Sequence, residues 1–240
     1  MGKVVAVIPA RYGSTRFPAK MMALLKGKPL LQWVWEGVRG ARTIGSVLIA
    51  TDDDRIRVLA EGFGAEVRMT SPDHPSGTDR VAEAVAGLDA DWVVNVQGDE
   101  PMISGSALDE FVSGLGAGFG MATLARRMEV PGEEANPNQV KVVFAADGRA
   151  LYFSRSPIPY RREHGERVDY WHHLGLYAYR PEVLKRLVAL PPSSLEQAEK
   201  LEQLRALQNG IAIQVIPTSL FTVGVDTPED LARVEALLTP

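Results

Sequence analysis

The sequence predicts an α/β fold with a mostly parallel central sheet flanked by helices and an antiparallel hairpin added late in the chain. Three observations predict it. Apolar, β-branched runs at residues 4–8 and 46–51 read as buried strands, the first on both faces, and residues 92–97 read as a further strand. Segments with apolar residues at helical spacing alternate with these runs across short loops, which is the pattern of parallel strands joined by helical crossovers. From residue 139 the alternation gives way to two strand-like runs around Asp147-Gly148, a dipeptide typical of type I′ hairpin turns.

The first strand stops at Pro9, which has no N–H to donate to a ladder. Residues 29–42 read as a helix behind Pro29 at its first position. Asp52, Asp53 and Asp54 open a helix through about Glu61, with their carboxylates near its positive end. A short strand around Val67, a helix over 79–88 and the strand 92–97 follow. Ser104 is a candidate cap for a helix over 104–115, and residues 121–126 read as another strand. Beyond the hairpin come a strand at 173–179, helices over 181–190 and 195–208, and strands at 211–216 and 221–225. The last helix, 227–238, begins with Thr227-Pro-Glu-Asp230, a capping-box-like start with Pro in its first turn. The organisation expected is one domain over residues 1–240, with 139–179 as an antiparallel subregion for acceptor or subunit contacts.

The 240 residues are 45% apolar, enough for a sizeable core, and the net charge of -4 argues against nucleic acid as the main partner. The absence of Cys excludes disulfides, thiolate metal sites and cysteine nucleophiles. No secretion signal or membrane-length apolar run is seen, so a soluble cytoplasmic protein is expected. There is no G-x-G-x-x-G, no P-loop and no G-x-S-x-G elbow, so a phosphate site must use another loop.

That loop follows the first strand. Arg11, Arg16 and Lys20 share it with Gly13, Ser14 and Thr15, just past the carboxyl end of a strand, where open α/β sheets bind ligands. Guanidiniums, an ammonium and free backbone N–H groups suit a polyphosphate; the alternative is a solvated basic loop. Asp99 and Asp226 stand at the ends of apolar runs and offer the hard oxygen ligands that magnesium takes beside phosphates. For Asp226 the alternative is a carboxylate serving the next helix end, worth about 0.3–1 kcal/mol; for Asp99 it is a solvated loop residue. Ser76 or Thr78 can cap the helix at 79, or with exposed N–H groups read a base edge. Asp52, Asp53 and Asp54 read as structural. The four histidines show no metal-ligand spacing, and His173 can equally be a hydrogen-bonded core residue.

An ordered set of motifs spans nearly the whole chain: Ile8-Pro-Ala-Arg-Tyr-Gly-Ser-Thr-Arg-Phe-Pro-Ala-Lys20, Gly77-Thr-Asp-Arg80, Asn95-Val-Gln-Gly-Asp-Glu-Pro101, Asn136-Pro-Asn138, Tyr152-Phe-Ser-Arg155, His173-Leu-Gly-Leu-Tyr177, Leu201-Glu-Gln-Leu-Arg205 and Gly224-Val-Asp-Thr-Pro228. The set resembles the sugar-acid cytidylyltransferases, most nearly those acting on 3-deoxy-manno-octulosonate (Kdo). The resemblance implies a Rossmann-like nucleotidyltransferase fold and transfer of CMP from CTP to the anomeric hydroxyl of Kdo, for lipopolysaccharide precursors. It also implies Mg2+ and a homodimer. Arg11, Ser14, Arg16 and Lys20 would hold the triphosphate, with Gly77, Thr78 and Arg80 around the nucleotide. Asp99 and Asp226 would hold magnesium and, with Lys20, serve catalysis. Gln97, Arg155, His173, Tyr177, Glu202 and Gln203 would face the sugar, Arg155 pairing with its carboxylate. Rival readings are a cytidylyltransferase for another sugar acid or a polyol phosphate, and a non-catalytic nucleotide-binding regulator, which would need no magnesium carboxylates.

Overall fold

In a computed structural model that describes residues 2–13, 16–163 and 168–238, the opening apolar run is strand β1 (Val4–Ala10), buried along nearly its whole length. The described chain divides into two compact units, Met1–Ser113 with Phe221–Pro240, and Gly114–Leu220. The antiparallel subregion expected at 139–179 falls in the second.

In the first unit β1 leads to a 3-10 turn at Lys20–Met22 and then to a small hairpin, β2 (Leu24–Leu25) and β3 (Lys28–Pro29). Lys26 and Gly27 form its turn with φ of 49° and 76°, the two positive values a type I′ turn requires. Pro29 therefore ends a strand and flanks helix α1 (Leu30–Arg39) instead of opening it; its ψ of 140° is extended. The chain continues through β4 (Ser46–Thr51), α2 (Asp54–Gly62), β5 (Glu66–Met69), α3 (Gly77–Ala84), β6 (Trp92–Asn95) and α4 (Gly105–Ser113). Asp53 caps α2 by accepting from the Arg55 N–H, and the Ser104 hydroxyl accepts from the Ala107 N–H. The strands of this unit are parallel in the order β6-β1-β4-β5. Connections run outward from β1 to β4 and β5, then return to β6 on its other side. The strand order thus reverses between β1 and β6, and a crevice opens there at the carboxyl ends.

The second unit holds β7 (Met121–Arg127), β8 (Lys141–Phe144), β9 (Ala150–Ser154), β10 (Trp171–Tyr179), α5 (Pro181–Val188), α6 (Ser194–Glu199), α7 (Gln203–Gln208) and β11 (Ile213–Thr218). The β7–β10, β10–β8 and β8–β9 pairs are antiparallel, while β11 runs parallel to β7. The hairpin expected at Asp147-Gly148 is there, with a different turn. Gly148 alone of its loop has a positive φ, 84°; its N–H donates to the Ala145 carbonyl, and the Ala145 N–H donates to that of Arg149. This is a three-residue loop with glycine in the left-handed position.

Two further expectations are corrected. The helix expected over 195–208 is two short helices, broken where Lys200 takes a φ of 54°. Carbonyls released by the break, those of Glu199 and Lys200, accept hydrogen bonds from the Arg155 guanidinium at 2.7 and 3.4 Å. The strand expected at 221–225 is a loop segment that joins no sheet. Its Val225 N–H donates to the Asp99 carbonyl at 2.8 Å, so the segment is held to a loop and not to a ladder. The chain then returns to the first unit with α8 (Pro228–Leu237), which has the predicted capping box between Thr227 and Asp230. Val225 and Val234 are buried with Leu25 and Leu30, tying the end of the chain to the β2–β3 hairpin.

Candidate active site

The crevice between β1 and β6 is a cleft of about 320 Å³ in the first unit. Arg11, Arg16 and Lys20 line it from the loop after β1, Gln97 and Asp99 from the loop after β6, and Gly77 and Arg80 from the start of α3, with Asp226 beside them. Eight residues singled out in the sequence thus meet in one place. Thr78 is buried in the first turn of α3, and Ser14 lies outside the described residues.

The chain approaches closely at Gly98, where a Cβ would lie 3.0 Å from the Met21 Sδ and 3.1 Å from the Pro9 carbonyl. Glycine lets the loop after β6 pass against the end of β1. Ser76 caps α3, its hydroxyl accepting from the Asp79 N–H at 3.2 Å, so Gly77 begins the helix at the cleft wall. A helix start there turns the positive end of the peptide dipoles toward an anion. Arg80 is buried; it donates to the Thr70 hydroxyl and lies 3.3 Å from Asp52, which gives Asp52 a role beyond the helix start.

Lys20 is the centre of the cleft's electrostatics. Only 7% exposed, it donates to Asp99 at 2.5 Å, to Asp226 at 3.0 Å and to the Val225 carbonyl at 3.0 Å. Burial pulls its pKa down, and the two carboxylates outweigh that, holding the ammonium above its ordinary value. Asp226 also accepts from Arg16 at 2.8 Å. Burial raises the Asp226 carboxyl, and Lys20 and Arg16 overcome it, leaving it below the usual range. The end of α8 is served by Thr227 and Asp230, not by Asp226. The Asp226 carboxylate faces the cations of the cleft instead.

Two features were not singled out in the sequence. Glu100 accepts a hydrogen bond from Thr222 and is pushed up to about 7, first by burial and then by the charges of Asp99 and Asp226, against the opposing effects of Thr222 and Lys20. Its neighbour Asp99 was the only signal for it. Tyr12, in the cationic loop, stacks under the Arg55 guanidinium at 3.3 Å, and Asp53 grips that guanidinium through both carboxylate oxygens. The cap of α2 thereby anchors the loop after β1, a relation no local spacing announces.

The remaining candidates lie in the second unit. Arg155 follows β9 and spends three nitrogen atoms on carbonyls: Nε on Glu199, Nη1 on Pro137 at 3.0 Å and Nη2 on Lys200. One N–H on each Nη remains for another acceptor. His173 is buried, its ring 5.0 Å from Phe153 and 5.4 Å from Tyr177. The register of β10 on β7 shifts between Leu174 and Tyr177, turning the Leu174 and Leu176 carbonyls onto the Thr123 hydroxyl. The same hydroxyl lies within hydrogen-bond distance of His173 Nε2, 3.0 Å away. Burial, with His172 adding to it, lowers the His173 pKa to about 3. Burial, Tyr179 and Glu202 raise that of the Tyr177 hydroxyl. Gln203 is buried, and its Nε2 has no hydrogen-bond partner. Among the described residues no group of three or more His, Asp or Glu side chains could hold a metal, and no helix is long and apolar enough to cross a membrane.

A sequence model of the cytidylyltransferases matches residues 5–213. The 3-deoxy-manno-octulosonate cytidylyltransferase of Myxococcus xanthus is 50% identical over 239 residues, 98% of this chain and 96% of its own length. That of Solibacter usitatus is 48% identical over 237 residues, 98% and 94% of the two chains. The solved structure of CMP:2-keto-3-deoxy-manno-octonic acid synthetase complexed with CTP is 44% identical, covers 98% of each chain and superposes with a TM-score of 0.93. The chain belongs to the cytidylyltransferase family, and within it to the 3-deoxy-manno-octulosonate cytidylyltransferases.

Proposed function

We propose that the chain transfers CMP from CTP to the anomeric hydroxyl of 3-deoxy-manno-octulosonate, releasing pyrophosphate. The observation that carries this is the agreement, at a TM-score of 0.93, with a synthetase solved in complex with CTP. The cleft suits the nucleotide. Arg11 and Arg16 offer planar donor forks to phosphate oxygens, and Gly77 presents the start of a helix.

In the reaction the sugar hydroxyl oxygen forms a bond to the α-phosphorus while the bond from that phosphorus to the bridging oxygen breaks in line. The hydroxyl proton passes to solvent, and the electron pair leaves with pyrophosphate. Such transfers are accelerated mainly by positioning and charge stabilisation. Lys20 is placed to neutralise negative charge gathering on the departing phosphates, and Arg16 to hold them. Asp99 and Asp226 fit magnesium by their donor set, since both point carboxylate oxygens at one cation, the Lys20 ammonium. Bound there, magnesium would screen the phosphates and make the sugar hydroxyl easier to deprotonate. Gln97, Arg155, His173, Tyr177, Glu202 and Gln203 recognise the acceptor. Arg155 has two unused N–H groups for its carboxylate, and the unpaired Gln203 amide can donate to a sugar hydroxyl. The same reading makes the enzyme a cytoplasmic homodimer, which sedimentation of the purified protein tests for its oligomeric part.

The deciding experiment is pyrophosphate release from CTP with a panel of sugar acids. Release with 3-deoxy-manno-octulosonate well above that with neuraminate or a polyol phosphate is expected. Equal rates across the panel, or none, would remove the assignment.

A further inference from the structure

Lys141, in β8, has one of the largest fully buried side chains of the protein, and no role assigned above touches it. Burying an ammonium is costly unless its donors are satisfied. Here they reach two carbonyls, that of Asn136 at 2.9 Å and that of Arg155 at 2.6 Å. The second belongs to the residue read above as the partner of the sugar carboxylate. The Arg155 backbone is thus held at both ends, its N–H donating to the Glu199 carboxylate at 3.0 Å and its carbonyl accepting from Lys141. The two cations also divide one short segment. Lys141 takes the carbonyl of Asn136, and the Arg155 guanidinium takes the next, that of Pro137.

The charges point the same way. Glu199 is the carboxylate bonded within this cluster, to Ser154 Oγ at 2.6 Å and to the Arg155 N–H. Glu134 also acts on Lys141 but is paired with Arg161 at 3.2 Å. Among the described residues, two cations against this one carboxylate leave one positive charge in excess. Burial, and then the charge of Arg155, push the Lys141 ammonium below its ordinary pKa, against the opposing charges of Glu199 and Glu134. Lys141 is fully buried while the Arg155 Nη groups reach solvent, so an incoming carboxylate can meet this excess at the guanidinium.

We propose that Lys141 is a positioning residue for acceptor recognition: it locks Arg155 and the Asn136–Pro137 carbonyls in place and supplies the surplus positive charge that favours a sugar acid over a neutral sugar. This rests on the reading of Arg155 as an acceptor residue, and the test separates the two.

Lys141→Met keeps the length of the side chain and removes its charge and donors. With folding checked by circular dichroism and thermal unfolding, it is expected to raise the KM for 3-deoxy-manno-octulosonate tenfold or more and to leave that for CTP within twofold. A purely structural lysine would lower thermal stability or kcat and leave the ratio of the two KM values unchanged, and that result overturns the proposal. If Lys141→Met does not fold, Lys141→Gln, which keeps one donor without charge, is measured by the same criterion. Failure of both to fold makes Lys141 structural and also overturns it. Arg155→Lys is measured in parallel. If it leaves acceptor KM unchanged, the acceptor reading itself fails. If it raises acceptor KM and Lys141→Met does not, the claim for Lys141 alone fails. In the double variant the two effects are expected to fall short of additivity, as for residues acting through one contact.

Discussion

The ammonium of Lys20 lies 2.5 Å from the Asp99 carboxylate and closes a cation-centred bridge to Asp226 within the same cleft. Two carboxylates far apart in the chain are thereby aimed at one point. Asp99→Asn and Asp226→Asn are each expected to lower turnover on the order of 10²–10³-fold with the fold intact. Thermal unfolding and steady-state rates at limiting magnesium check this. Wild-type turnover in Asp226→Asn would make that residue a structural one.

Lys20→Ala leaves those two carboxylates facing each other without their cation. If Lys20 acts on charge that develops as pyrophosphate leaves, kcat should fall on the order of 10²-fold while KM for CTP changes little. A raised KM at unchanged kcat would place Lys20 in ground-state binding.

Arg155 donates to carbonyls that a helix break has freed, so Lys in its place loses both the fork and the brace. Arg155→Lys is expected to weaken acceptor binding by about 1.5–3 kcal/mol, roughly tenfold to a hundredfold, and CTP hardly at all. Paired titrations of both substrates measure it. An equal loss for CTP would show a role in the fold.

His173 is held neutral by burial, with a folded pKa of about 3 against 6.5 for the free side chain. Between those values the unfolded chain binds a proton that the folded chain does not. Its contribution to stability is therefore full above pH 6.5 and lost as pH falls toward 3. From about pH 7.5 to about pH 5.5 the loss should be about 1.4 kcal/mol. Urea unfolding at both pH values measures it, and His173→Gln should lack that part of the dependence. An unchanged dependence in the variant would show that His173 is not the group responsible.

Strands β1, β4 and β6, the helix start at Asp52–Asp54, Ser76 as one of two cap candidates and the box at Thr227 were legible in the sequence, because burial period and capping chemistry are local. So was the cationic loop, which the end of β1 places at the sheet's carboxyl edge. The tertiary structure decided what those residues do to one another. It set Lys20 between Asp99 and Asp226, broke the helix at Lys200 where Arg155 takes the freed carbonyls, and held residues 221–225 to a loop by the Val225 hydrogen bond. It put the two-residue positive-φ turn at Lys26-Gly27 and gave Asp147-Gly148 a longer one. Each of these depends on a partner far along the chain or on the register of a paired strand, and neither leaves a mark in the spacing of neighbouring residues. A segment's own propensity amounts to tenths of a kcal/mol per residue, so a buried charge or an unpaired carbonyl, worth several times more, overrides it.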